Sequence, residues 1–231
     1  MAPADWIEFW DSKHSIYVSP RHEAAHFRRI AEDIRDYAPA GGTMLDYGCG
    51  EALSADLVAE RTGQLILSEP APQVRAMLAA RFAGNGKIAV RTPEEVAAMP
   101  AQSLDVIVMH SVAQYLTGGE LDALLAMFHR LLRPAGLLVV GDVIPRHLRA
   151  LDDAMELLRF GIQEGFLWAA LTGLARTYFS DYWSLRKALG LTRYDQAEIT
   201  AKLESAHFST GRASTNIGHN AKRMTFLARA R

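Results

Sequence analysis

The sequence predicts an α/β fold built on a doubly wound, mostly parallel sheet. Three observations carry this. Met44-Leu45-Asp46-Tyr47-Gly48-Cys49-Gly50-Glu51-Ala52 runs from an apolar pair through an acid into two glycines one residue apart, and a helical pattern follows from Ala55 to Glu60. From Thr43 to Asp142, short apolar runs alternate with helical patterns, the rhythm of right-handed βαβ units. One of those runs, Asp105–His110, is nearly all apolar, as a strand covered on both faces must be.

Each element follows from its residues. Trp6, Phe9 and Trp10 fall on one face of a short helix. Pro20 suits the start of a stronger helix over 20–37, where Phe27, Ile30, Ile34 and Tyr37 recur at helical spacing. Pro39, Gly41 and Gly42 break it. Strands are then expected at Thr43–Tyr47, Gln64–Ser68, Ile88–Arg91, Asp105–His110 and Leu137–Asp142. Helices are expected between them at Ala52–Glu60, Pro72–Phe82, Glu94–Ala98 and Gly119–Leu132, the last ended by Arg133-Pro134-Ala135-Gly136. The rhythm stops at 146–190, which reads as helices alone, including Leu148–Phe160 and Gly165–Phe179. A helix at Asp195–Ala206 and two strands, Phe208–Ala213 and Arg223–Arg229, close the chain as a hairpin or adjacent pair.

Composition bounds the function. A chain of 231 residues, 49% hydrophobic and 22% charged, can bury a sizeable core as one large domain. With 25 basic and 26 acidic residues its net charge is −1, which gives no electrostatic footprint for nucleic acid. The one cysteine, Cys49, allows no intrachain disulfide and no thiolate zinc cluster. The first residues lack a basic run followed by an apolar stretch, so no secretory signal is expected, and no spanning helix either. A cytoplasmic protein is the expectation.

The glycine stretch reads as a loop for a nucleoside-bearing ligand. Glycine allows positive φ and close approach to main-chain N–H groups, and the next helix adds its N-terminal partial charge. A dinucleotide fingerprint would need a third glycine where Leu53 stands, and no Lys-Ser or Lys-Thr follows to make a P-loop. Glu69, after the second strand, can accept hydrogen bonds from both ribose hydroxyls, as a nicotinamide cofactor would also ask. Asp46 ends a buried strand, where a carboxylate is costly unless bonded or paired.

Four stretches in order resemble the class I S-adenosylmethionine-dependent methyltransferases, in the type 11-like group. They are Met44–Gly50, Leu65–Glu69, Leu104–His110 and Leu131–Leu138, and the match covers about residues 43–145 plus the closing strand pair. The resemblance implies a Rossmann-like, seven-stranded sheet with an antiparallel closing strand, and a helical insertion before the last strand pair. It implies S-adenosylmethionine as cofactor and methyl transfer as activity, with Asp46 ordering the loop and facing the methionyl amine. It implies a cofactor site drawn from Tyr17, Asp46, Gly48, Cys49, Gly50, Glu69, Pro70, Thr92, Pro93, His110 and Ser111. Thr92 is a departure, standing where the family often has an acid that meets the adenine amino group.

His110 and Ser111 follow strand four at the crevice where strand order reverses, with Gln114 and Tyr115 one turn on. His110 is the first candidate base, and His219, in Asn216-Ile217-Gly218-His219-Asn220, the second. His22-Glu23-Ala24-Ala25-His26 matches the zinc-protease pattern H-E-x-x-H, but Phe27, Ile30 and Ile34 make that helix an amphipathic one, no third ligand is evident, and no metal is expected. His22 or His26 could instead line a substrate pocket. His14 and Arg28 are candidates for contact with a carboxylate or the substrate.

Residues 160–183 are the most aromatic part of the chain, and include Phe160, Phe166, Trp168, Tyr178, Phe179, Tyr182 and Trp183. They read as a lid over an apolar or aromatic acceptor, as core or a homodimer interface, or as an interfacial helix for a lipid. The expected organisation is an N-terminal helical cap over 1–42, a cofactor-binding core over 43–145, an insertion or lid over 146–194 and a closing helix with strand pair over 195–231, together one structural domain. The expected function is methyl transfer to a small, partly apolar or aromatic acceptor. The alternatives are a nicotinamide-dependent oxidoreductase and a non-catalytic S-adenosylmethionine-binding protein.

Overall fold

The computed structural model describes residues 6–11, 17–177 and 190–231. Seven strands form one sheet: β1 Thr43–Tyr47, β2 Gln64–Ser68, β3 Ile88–Arg91, β4 Leu104–His110, β5 Leu132–Val143, β6 Phe208–Arg212 and β7 Met224–Ala230. Their order is β3-β2-β1-β4-β5-β7-β6. The pairs β1–β2, β2–β3, β1–β4 and β4–β5 are parallel, while β7 runs antiparallel to both β5 and β6. The seven-stranded, doubly wound sheet with an antiparallel closing strand is therefore as expected. Strand order reverses between β1 and β4, so the carboxyl ends of these two strands flank the crevice where such sheets bind ligands.

Alternation along the strands feeds two cores. Leu45, Ile107, Met109, Leu138 and Val140 face one way, against Leu121, Leu125, Phe128 and Leu131 of α6 (Gly118–Leu131) and Ile199 and Leu203 of a later helix, Gln196–Ser205. Met44, Val106, Val108 and Val139 face the other, against α2 (Pro20–Arg35), α3 (Ala55–Ala59) and α4 (Pro72–Arg81). α1 is Trp6–Asp11 and α5 is Pro93–Ala97. α7 (Ala150–Glu164) and α8 (Leu167–Thr177) follow β5, and the helix at Gln196–Ser205 is α9.

α2 serves two cores because its buried residues are spaced along its length. Ser19 caps it, accepting the His22 N–H at 3.1 Å, and Pro20 occupies its first turn. Ala31 and Ile34 join the sheet core, whereas Ala25 joins Phe160, Phe166 and Ala170 in a small separate cluster under α7 and α8.

Three boundaries differ from expectation for identifiable reasons. α3 starts at Ala55 rather than Ala52, because Ala52 adopts φ +41° and cannot begin a right-handed helix. The Arg133–Gly136 stretch is the irregular start of β5, where the register with β4 shifts between Leu104 and Val106. The insertion's first helix runs on to Glu164, and the second lies at Leu167–Thr177. Tyr178, Phe179, Tyr182, Trp183 and His14 fall outside the described residues.

The motif around β4 and β5 is structural. Asp105 accepts the Thr43 N–H at 2.7 Å and pairs with Arg133, pinning the start of β1 to the β5 entry. A Cβ on Gly42 would stand 2.7 Å from the same carboxylate.

Candidate active site

The turn after β1 needs its glycines. Gly48 has φ +73° and Gly50 φ +57°, and a Cβ on Gly48 would fall 2.4 Å from a methyl of Val112. The N–H groups of this turn point inward. Gly48 and Cys49 both donate to the Ser68 carbonyl, at 2.7 and 3.1 Å. The Gly50 N–H donates to Glu69 Oε2 at 2.8 Å, and the Ala71 N–H donates to Glu69 Oε1 at 2.9 Å. The expectation that these N–H groups meet the ligand is thus corrected: they lock the loop onto the end of β2. A phosphate would need such donors free. What faces the crevice is acidic.

Glu69 is only 5% exposed, and each of its oxygens holds one N–H with a second lone pair to spare. Burial raises its pKa, and the two N–H bonds and Arg75 act in the opposite sense. Arg75 Nη1 donates to the carbonyls of Glu69 and Pro70 at 2.8 and 2.9 Å, which fixes this bend. Asp46 accepts no hydrogen bond among the described residues. Burial first, then the Glu69 charge, pushes its pKa up to about 7. A cationic group brought to Asp46 would restore the carboxylate.

Several expected ligand residues are otherwise engaged. The Cys49 side chain packs in the sheet core, and burial pushes its thiol well above the usual range. Thr92 caps α5, accepting the Glu95 N–H at 3.1 Å while its own N–H donates to Glu95 Oε2 at 2.8 Å, and Pro93 is the first residue of that helix. Ser111, at φ +56°, donates to Asp142 Oδ2 at 2.6 Å. Arg28 sits at the surface, paired with Glu164 at 2.6 Å. Tyr115 packs on Trp6 and Trp10, with ring centroids 4.7 and 6.0 Å apart. Gln114 is buried.

α1 bridges the crevice. Its Trp6 and Trp10 meet Tyr115 beyond β4, and its Asp11 accepts the Gln73 N–H at 2.5 Å beyond β2. The loop ends at Tyr47 and Ser68 lie between these two contacts in strand order.

The other half of the site is histidine. Tyr17 stands against His22, His26 and Phe27, with centroids 5.3–5.8 Å apart. Phe27 approaches the glycine loop, since a Cβ on Gly50 would lie 3.9 Å from its ring. His110 is enclosed by Gly141 and Gly218: Cβ atoms there would lie 2.9 Å and 3.6 Å from its ring. Its Nδ1 is buried with no partner, and burial lowers its pKa.

A polar network missed by sequence reading holds the connection between β6 and β7, which carries His219. Asp142, buried at the end of β5, accepts from Arg223 Nη1 at 2.6 Å and from Asn216 Nδ2 at 3.3 Å. Arg223 also pairs with Asp153 of α7 at 3.1 Å, and Asn220 Nδ2 donates to Asp153 at 2.8 Å. The Gly218 N–H donates to Asp33 of α2 at 2.8 Å. These partners lie 67 to 185 residues apart, so no local motif announces them. A separate depression of about 530 Å³ lies beyond Phe166, lined also by Ser19, Arg21 and Trp168, with no residue of the glycine loop.

Fold and site together set two acids, Asp46 and Glu69, at the carboxyl ends of β1 and β2 beside a glycine turn whose N–H groups are already taken. Residues 45–140 match the family model described as a methyltransferase domain. An uncharacterized methyltransferase of Geobacillus kaustophilus is 27% identical over 156 residues, covering 65% of this chain and 69% of that one. Among solved structures, a Haloferax volcanii protein in complex with the Trm112 methyltransferase activator has 12% identity and a TM-score of 0.63, covering 98% of each chain. Magnesium protoporphyrin IX methyltransferase of Synechocystis PCC 6803, with S-adenosylmethionine bound, has 15% identity and a TM-score of 0.57, covering 98% of this chain and 89% of that one. The chain therefore carries a methyltransferase domain over residues 45–140 and shares its fold with solved methyltransferases, as its motifs led one to expect. Among the described residues no helix is long and apolar enough to cross a membrane.

Proposed function

We propose that this protein binds S-adenosylmethionine over the β1–β4 crevice and methylates a small, partly apolar or aromatic acceptor. The observation that carries the reading is the inward-turned loop with Asp46 and Glu69 beside it. Glu69 keeps lone pairs for the ribose hydroxyls, and Asp46 offers its carboxylate to the methionyl ammonium. Tyr17 and Phe27 cover the loop from α2's side. The protein's own binding of the donor is part of this proposal.

Bound there, S-adenosylmethionine supplies an electrophilic methyl on a sulfonium. The chain's work is to align the acceptor on that carbon and to exclude water. The residues given above as the cap, core, insertion and closing segments divide this work, with the cap and insertion turned to the acceptor. Cytoplasmic residence, as a monomer or homodimer, accords with a lone buried thiol.

Titration calorimetry with S-adenosylmethionine, NAD and ATP tests the donor site. We expect binding of S-adenosylmethionine alone among the three. Preference for NAD, or no binding of S-adenosylmethionine, would refute the reading.

A further inference from the structure

Away from the glycine loop, three imidazoles converge. His22 and His26 come from α2, and His219 comes from the β6–β7 connection. Their ring centroids are 6.0, 6.2 and 6.3 Å apart, close to an equilateral triangle. Aromatic rings back two of them. His219 lies flat on Phe160 at 4.6 Å and 10°, and His22 lies on Phe166 at 4.8 Å and 25°.

Hydrogen bonding at the triangle is incomplete in a specific way. His22 Nδ1 accepts the Val18 N–H at 3.3 Å, so its proton sits on Nε2. That Nε2 is buried without a partner in a residue only 6% exposed. A buried donor left unmet costs about 1–3 kcal/mol, and an acceptor atom on a ligand would relieve it. The His26 and His219 rings hydrogen-bond to none of the described residues.

The cluster is electrically quiet. Burial is the leading cause that lowers the pKa of all three imidazoles, to about 4 at His22. His219 faces Asp142 from β5, Asp153 and Glu156 from α7, Arg223 just before β7, and the two histidines of α2. His26 also faces His110 from β4. The Arg223 charge is answered by Asp142 at 2.6 Å and Asp153 at 3.1 Å. A charged acceptor finds no free counter-ion here, whereas a flat, neutral ring finds flat, neutral neighbours.

We propose that His22, His26 and His219 form the acceptor subsite, taking a planar phenol whose hydroxyl meets the imidazole nitrogens and gives its proton to His219. This rests on the donor reading above. The phenol oxygen bonds to the methyl carbon, the carbon–sulfur bond breaks, and its electron pair stays on sulfur as S-adenosylhomocysteine. The phenol proton passes to His219 and then to water. His219 is the acceptor of the proton because Asp142, Glu156 and Asp153 all face it and, though each is paired with an arginine, offset part of the cost that burial and the Arg223 charge impose on the imidazolium. His22 has its free lone pair occupied by Val18, and a charged His26 would be surrounded by three other imidazoles.

The test uses the purified full chain with saturating S-adenosylhomocysteine and four probes: 4-methylphenol, 2-naphthol, 2-naphthoate and N-methylquinolinium. At least one of the two phenols should bind more tightly than both charged rings. His26→Gln should weaken that phenol tenfold or more. His219→Gln should cut S-adenosylhomocysteine release at least 100-fold, in the range expected for loss of a general base, with the Kd for S-adenosylmethionine within twofold of wild type. Phe160→Leu, which keeps every nitrogen, should weaken the phenol and serves should His219→Gln fold poorly. Binding of neither phenol, tighter binding of a charged ring, or undiminished turnover in His219→Gln would overturn the subsite. Loss of activity to a chelator with rescue by zinc would also overturn it, by making the triangle a metal site. Failure of the wild-type chain to bind S-adenosylmethionine sinks the donor reading and this one together, whereas donor binding without phenol binding sinks this one alone.

Discussion

The proposed donor and acceptor halves of the site are held by different forces. The donor half, at the ends of β1 and β2, is fixed by backbone N–H groups on one carbonyl and one buried carboxylate. The acceptor half is fixed by ring faces, and its histidines take few hydrogen bonds from the chain. Directional bonds impose one geometry, while ring stacking tolerates small shifts of position. On the proposed reading, a fixed donor site would lie beside an adaptable acceptor pocket.

Substitutions should separate the halves. The largest effect is expected for Glu69→Ala, which strands two buried N–H groups and removes the ribose acceptor. Charge-assisted bonds are worth about 1.5–3 kcal/mol each, so donor affinity should fall by about 100-fold or more, with a clear loss of melting temperature. Unchanged affinity in calorimetry would detach Glu69 from the donor. Arg223→Met breaks a buried ion pair whose side chains are 16% and 11% exposed. About 3–5 kcal/mol of stability should be lost in urea unfolding, because Asp142 is left unpaired, and acceptor turnover should fall more than donor binding.

His22 gives the acceptor half an acid sensitivity. Its folded pKa of about 4 lies below the usual 6.5. The unfolded chain therefore binds the proton first as pH falls, and stability declines from pH 6.5 down to about 4. The shift corresponds to about 3 kcal/mol. His22→Phe keeps the ring against Phe166 and should flatten urea midpoints over that window; an equally steep decline would dissociate the effect from His22.

Asp46 gives the donor half a pH signature in affinity rather than in stability. Its pKa of about 7 is raised from 3.8, so the unliganded carboxyl is largely protonated below neutrality. Binding a methionyl ammonium then expels the proton, and affinity for S-adenosylmethionine should rise with pH up to about 7. Calorimetry in buffers of different ionisation enthalpy should count that proton. Asp46→Asn should lose it, with affinity down by about tenfold, or about 1.4 kcal/mol. The smallest effect is expected for Trp168→Ala: the ring is 82% exposed, and stability should move by less than about 0.5 kcal/mol.

Legibility in the sequence follows the same division. The strands and the donor loop were readable because a strand, a glycine turn and an acid lie within a few residues of one another, and β1, β2 and β3 fall where their apolar runs end. What the loop does with its N–H groups was not readable, since the Ser68 carbonyl and Glu69 come from the next strand. Thr92 and Ser111 looked like ligand contacts from their positions, but a cap and the Asp142 network engage their hydroxyls. The histidine triangle joins residues near 22 and 219, a distance no periodicity spans. Its one local trace was the His22–His26 pair, whose four-residue spacing matched a zinc pattern that was set aside, with a place in a substrate pocket kept as the alternative.

The inward-turned loop also has a bearing on competition. Inside a cell the adenosine moiety is offered mostly as phosphorylated compounds. A site that recognises only adenosine would be crowded by them. Here the amides that could welcome a phosphate are occupied, and two acids stand where its charge would fall. If the proposed donor site is right, the same bonds that give the loop its shape would also act as a filter against the commonest lookalikes.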